Sequence, residues 1–111
     1  MQRVKHQSLL LTVILAYGGI TASAQTGEEL YAQNCTICHG EEGTGAMPGI
    51  PDLTENRVWA SEPVTQLITR IKQGIQSPNS AMPMPPNGGN SALTDEDLKN
   101  IIQFMRTSFL K

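Results

Sequence analysis

Three residues of unusual chemistry, Cys35, Cys38 and His39, stand within five positions in Cys35-Thr36-Ile37-Cys38-His39. They constrain this chain strongly because it has few other means of building a core. The chain has 111 residues, enough for one domain, and its first 24 are not expected to belong to it. Arg3 and Lys5 give a basic start, Leu9 to Ile20 is an apolar run broken only by Thr12, Tyr17 and Gly18-Gly19, and Ala22-Ser23-Ala24 has the small residues of a cleavage site. This order is that of a secretory signal peptide, which makes Gln25 the first mature residue. The stretch from Leu9 to Ala24 is 16 residues, short of the roughly 20 needed to span a bilayer. No cysteine lies near the cleavage site, so a lipid anchor is not expected.

Residues 25–111 are therefore read as one small domain, for which a core without a staple is marginal. Only four aromatic residues fall in this part: Tyr31, Trp59, Phe104 and Phe109. Two cysteines allow at most one disulfide. Something else has to fill the centre, and a large apolar cofactor would do so.

The spacing of the cysteines and histidine says which cofactor. Cys-x-x-Cys-His is a c-type haem attachment signature. Each thiol adds across one vinyl group of the haem to form a thioether, and His39 then lies beneath the ring with its imidazole directed at the iron. Three plainer readings compete. A disulfide leaves His39 unexplained. A thioredoxin-like pair needs a strand before Cys35, and none is predicted. A zinc site needs two more Cys or His ligands, yet the only other histidine is His6, in the presumed signal peptide.

The periodicities are helical. Thr26-Gly27-Glu28-Glu29 reads as a capping box, so a helix is predicted from about Gly27 into the cysteines. A second is predicted from Ser61 or Glu62, with Pro63 tolerated in its first turn, Val64, Leu67, Ile68 and Ile71 on one face, and Gly74 as its stop. A third starts at Thr94, where Asp95, Glu96 and Asp97 favour the positive end of the helix dipole. Its apolar stripe is Leu98, Ile101, Ile102, Met105 and Phe109. Between them, Gly40 to Trp59 and Ser77 to Ser91 are rich in Gly and Pro, and long loops in a compact domain usually have a task. Here they would wrap the cofactor.

A haem iron held by His and Met has a raised potential and suits electron transfer. Met1 leaves with the signal, Met47 lies just after His39, and Met105 fits a core stripe. Met82 and Met84, in Ala81-Met82-Pro83-Met84-Pro85-Pro86, remain as candidates for the sixth ligand.

Taken together, these residues resemble the small class I bacterial cytochromes c over nearly the whole of 25–111. Gly27 and Tyr31 precede Cys35 as the family's glycine and aromatic do on the first helix, and Ile101 and Phe104 look like the matching positions on the last. Pro51 and Leu53 resemble the family's Pro-x-Leu, whose proline carbonyl accepts the Nδ1–H of the proximal histidine. Met84-Pro85-Pro86-Asn87-Gly88-Gly89 resembles the family's axial-methionine segment, which favours Met84 over Met82. The resemblance implies an all-α fold of three to four helices wrapped with loops around one covalent haem c. By analogy, Arg57 and Trp59 would bond a haem propionate.

The implied function is a periplasmic, monomeric carrier of single electrons, not an enzyme. Its partners would be redox proteins: a dehydrogenase, oxidase or reductase. A haem c subunit of a larger dehydrogenase or oxidase has the same site. An open-site haem peroxidase or gas-binding protein would need a free sixth position and a distal acid or base, for which residues 25–111 hold no second histidine. The mature segment carries 6 basic and 10 acidic side chains, a net charge of −4. That disfavours nucleic acid and predicts a basic partner surface.

Overall fold

The structure is a computed structural model. It describes residues 24–55, 57–78 and 80–110, with residue 2 and residues 12–14 and 18–19. The segment read as a signal peptide falls mostly outside them.

Thr26 caps the first helix, α1 (Gly27–Asn34), as predicted: its hydroxyl accepts from the Glu29 amide at 3.2 Å, and the Glu29 carboxylate accepts from the Thr26 amide at 3.0 Å. The helix does not run unbroken through the motif. Cys35 leaves helical geometry at φ −120°, ψ −30°, and one further turn, α2 (Thr36–His39), carries Cys38 and His39. Gly40 ends that turn at φ +81°, a conformation few residues but glycine adopt.

A single turn not expected from the sequence, α3 (Val58–Ser61), precedes α4 (Val64–Gln73). The predicted start of α4 at Ser61 or Glu62 is corrected to Val64. Glu62 is extended, φ −65° and ψ 143°, because the ring of a following proline disfavours helical geometry in the residue before it. Gly74 stops α4 as expected, at φ +83°. A 3₁₀ turn spans Pro86–Gly89. The last helix, α5 (Asp95–Phe109), has a second capping box in which Thr94 and Asp97 exchange bonds of 3.1 and 3.0 Å. The sequence reading saw the acidic charge there but not the reciprocal bond. The fold is all-α, with no strand among the described residues.

The buried core comes from the predicted stripes: Leu30 and Tyr31 of α1, Leu67 and Ile71 of α4, Leu98, Ile101, Ile102 and Phe109 of α5, with Trp59. Its tightest contact is between α1 and α5. A Cβ added at Gly27 would lie 2.1 Å from the Asn100 carbonyl oxygen and 3.1 Å from Phe104 Cβ. One turn on, the Tyr31 ring packs edge-on to Phe109 at 5.2 Å and tilted to Phe104 at 5.4 Å. Its hydroxyl donates to the Gly40 carbonyl at 2.7 Å, tying the crossing to the end of α2. Arg106 of α5 donates to the Trp59 and Glu62 carbonyls and so holds the α3–α4 junction.

Gly27→Ala must push the two helices apart. It should cost about 3 kcal/mol, the upper range for overpacking a close contact, and lower the midpoint of thermal unfolding followed by circular dichroism by about 10 °C or more.

Candidate functional site

The helices and loops enclose a cavity of about 340 Å³ with predominantly apolar walls. Every element contributes. The end of α1 and α2 supply Asn34, Cys35, Cys38 and His39; the loop after α2 supplies Ile50, Pro51 and Leu53; α3 and α4 supply Trp59, Leu67 and Ile71; α5 supplies Leu98, Ile101 and Met105. The loop 77–91 supplies Ser77, Ser80, Met82, Met84 and Asn87.

The sequence-predicted residues divide into those the cavity gathers and those it does not. Cys35, Cys38, His39, Pro51, Leu53, Met82 and Met84 all line it. The two thiols are free, not joined as a disulfide. Burial pushes the Cys35 thiol up to about 11, with the neighbouring Cys38 adding to it. Burial also lowers the pKa of His39, which keeps the imidazole neutral with a lone pair free for a metal. Of the methionines, Met47 is exposed and off the wall, whereas Met105 both packs on the core and lines the cavity.

Met84 is the more firmly placed of the two candidates. Its amide donates to the Ile75 carbonyl at 2.8 Å and its carbonyl accepts from the Ile75 amide at 3.0 Å, so its backbone is pinned to the end of α4. Its side chain is half-buried against the core, while Met82 is 43% exposed at the rim. Asn90 Nδ2 donates to Asn34 Oδ1 at 2.8 Å, fixing the far end of the same loop to the end of α1.

Other residues expected near the cofactor are bonded within the protein. Trp59 Nε1 donates to the Leu53 carbonyl at 2.9 Å, and the ring is core. Arg57 is not among the residues of the cavity wall, and its Nε donates to the Thr54 carbonyl at 3.1 Å. The cation on the wall is Arg70, ion-paired with Glu62. The periodicity of α4 held the signal, since Arg70 follows Leu67 by three positions and adjoins Ile71 at the edge of the buried face. Pro51 lines the same cavity as His39. His39 Nδ1 is buried without a hydrogen-bond partner in the protein.

These residues fit a haem c. The cavity offers two neutral thiols at the attachment spacing, a neutral buried imidazole with an unspent nitrogen, thioethers, and an apolar lining. The comparison with known families agrees. A family described as cytochrome c oxidase, cbb3-type, subunit III, matches residues 22–105. The chain belongs to this family of c-type cytochrome domains. Its cofactor is one covalent haem c.

Among its relatives, cytochrome c-555 of Chlorobaculum tepidum is 29% identical over 95% of both chains. The cytochrome c subunit of a quinone alcohol dehydrogenase from Gluconobacter oxydans is 33% identical over 86% of this chain. The cytochrome spans only about a fifth of that subunit's length (20%). Among solved structures, a mono-haem ferrocytochrome c from Shewanella putrefaciens is 31% identical and matches with a TM-score of 0.54 over 81% of this chain and 100% of the other.

Because thioethers do not dissociate, extraction of the purified protein with acid–acetone should leave the haem colour in the protein precipitate. Colour passing into the organic phase would contradict covalent attachment.

Proposed function

We propose that this cytochrome is an exported carrier of single electrons whose iron is closed to substrates by His39 and Met84. The observation that supports this most is the pinned backbone of Met84 beside a cavity that also holds Cys35, Cys38 and His39. Haem c supplies an iron that accepts and releases one electron. The chain does the rest. Cys35 and Cys38 retain the cofactor, His39 gives its imidazole lone pair, and Met84 its thioether. A thioether ligand and a buried site favour a raised potential. Apolar walls keep water away from the iron, so that little has to reorganise as charge changes.

On this reading the protein is not itself an enzyme. Residues 1–24 direct export and are cleaved, residues 25–111 form the haem domain, and the mature chain works as a periplasmic monomer. Its partners are redox proteins of the dehydrogenase, oxidase or reductase kind, met in small, short-lived encounters. The second reading is a haem domain held within a larger complex. The relatives named as subunits of a quinone alcohol dehydrogenase and of a cbb3-type oxidase favour it. Co-purification from native membranes separates the two.

Met84→Ala should abolish the weak long-wavelength band of a methionine–ferric haem pair, lower the potential and admit carbon monoxide to the ferrous iron. Met82→Ala should leave all three nearly unchanged, and the reverse pattern would move the ligand to Met82. Separately, a mature net charge of −4 predicts that electron transfer with the physiological partner slows as salt rises, since screening acts over about 8–10 Å at physiological ionic strength. A rate that is flat or rises with salt would remove electrostatic steering.

A further inference from the structure

For the cavity to stay closed, the loop after His39 and the loop carrying Met84 must meet edge to edge. Among the described residues one hydrogen bond joins residues 40–55 to residues 75–91: Ser80 Oγ donates to the Gly49 carbonyl at 2.6 Å. The same hydroxyl lies 2.9 Å from the Met82 carbonyl. A serine hydroxyl has a single proton, so the two carbonyls share it, and the shorter contact is the one that crosses between loops. Shape supports the same seam. A Cβ on Gly49 would come within 3.3 Å of Ala81 Cβ, and Gly49 sits at φ +85°. A side chain at Gly49 would be strained by its positive φ and would press tightly on Ala81.

Ser80 is also a cavity-wall residue, four positions before Met84. The methionine segment is therefore held at two places. On one flank the paired bonds to Ile75 join it to α4; on the other Ser80 joins it to the loop that follows His39. The first holds Met84 itself. The second holds the outer edge of the loop, where opening would begin.

We propose that Ser80 is a positioning residue that clasps the methionine loop to the histidine loop and sets how often Met84 releases the iron. This rests on Met84 as the sixth ligand. Loss of a hydrogen bond of ordinary net strength favours the open loop by about fivefold.

The test uses the full haem-loaded ferric protein and the rate at which cyanide binds, which requires the sixth position to be free. Ser80→Ala should speed binding about fivefold, and Ser80→Thr, which keeps the hydroxyl, should restore a rate near wild type. With Met84→Ala as background, cyanide has no methionine to wait for, and adding Ser80→Ala should change nothing. If Met84→Ala alone does not speed cyanide, the ligand reading fails. If Met84→Ala speeds it and Ser80→Ala binds at the wild-type rate, the clasp is refuted. The clasp is equally refuted if Ser80→Ala accelerates binding to the same extent with Met84 absent, because it would then act on access and not on the methionine.

Discussion

The backbone contact between α1 and α5 places everything else in this molecule. Gly27 lets α1 lie against the Asn100 carbonyl at a distance no side chain permits. From that crossing α1 runs eight residues and delivers Cys35, and one more turn delivers Cys38 and His39. The ring of Tyr31, wedged against Phe104 and Phe109, keeps the crossing angle, and its hydroxyl fixes the Gly40 carbonyl where the chain leaves the motif. The Cys-x-x-Cys-His segment is thus positioned by the close α1–α5 crossing, while Met84 is brought in by a loop tied to α1 through Asn90 and Asn34 and to Ile75, just past the end of α4.

The second constraint is size. The buried core is small, and the side chains around it face a cavity instead of one another. Apolar walls decide the chemistry of what they enclose: they hold His39 neutral and raise the Cys35 thiol, since burial disfavours a charged form. Among the described residues the ion pair on the wall, Arg70 with Glu62, sits at the edge where solvent still reaches it, Arg70 keeping 45% of its side chain exposed and Glu62 16%. Charge is kept to the rim, as the cost of burying it requires.

How much of this was legible beforehand follows from the range over which each signal acts. Caps and stripes act within one helix, so α1, α4 and α5 could be read directly, as could the motif, whose meaning lies in its spacing. The single turns α2 and α3 were not separable, because four residues carry no periodicity. The start of α4 moved by two or three residues through the effect of Pro63 on Glu62. Arg57 and Trp59 are placed near a propionate by analogy alone, and each also donates to a nearby backbone carbonyl, Thr54 and Leu53. Such competition between partners depends on loop geometry that no sequence pattern encodes. Arg70 was passed over for the opposite reason: a cation on an amphipathic helix reads as solvated unless its register with Leu67 and Ile71 is followed. The Ser80–Gly49 contact joins residues 31 positions apart and has no sequence signature at all.

The proposed function turns on one iron, closed by His39 and Met84, that exchanges one electron. A potentiometric titration of the purified protein followed by its visible spectrum tests this most directly. The account predicts a single one-electron wave at a raised potential, with low-spin spectra in both oxidation states. A ferrous form that is high-spin and binds carbon monoxide without any substitution, or a titration that does not follow one electron, would contradict it.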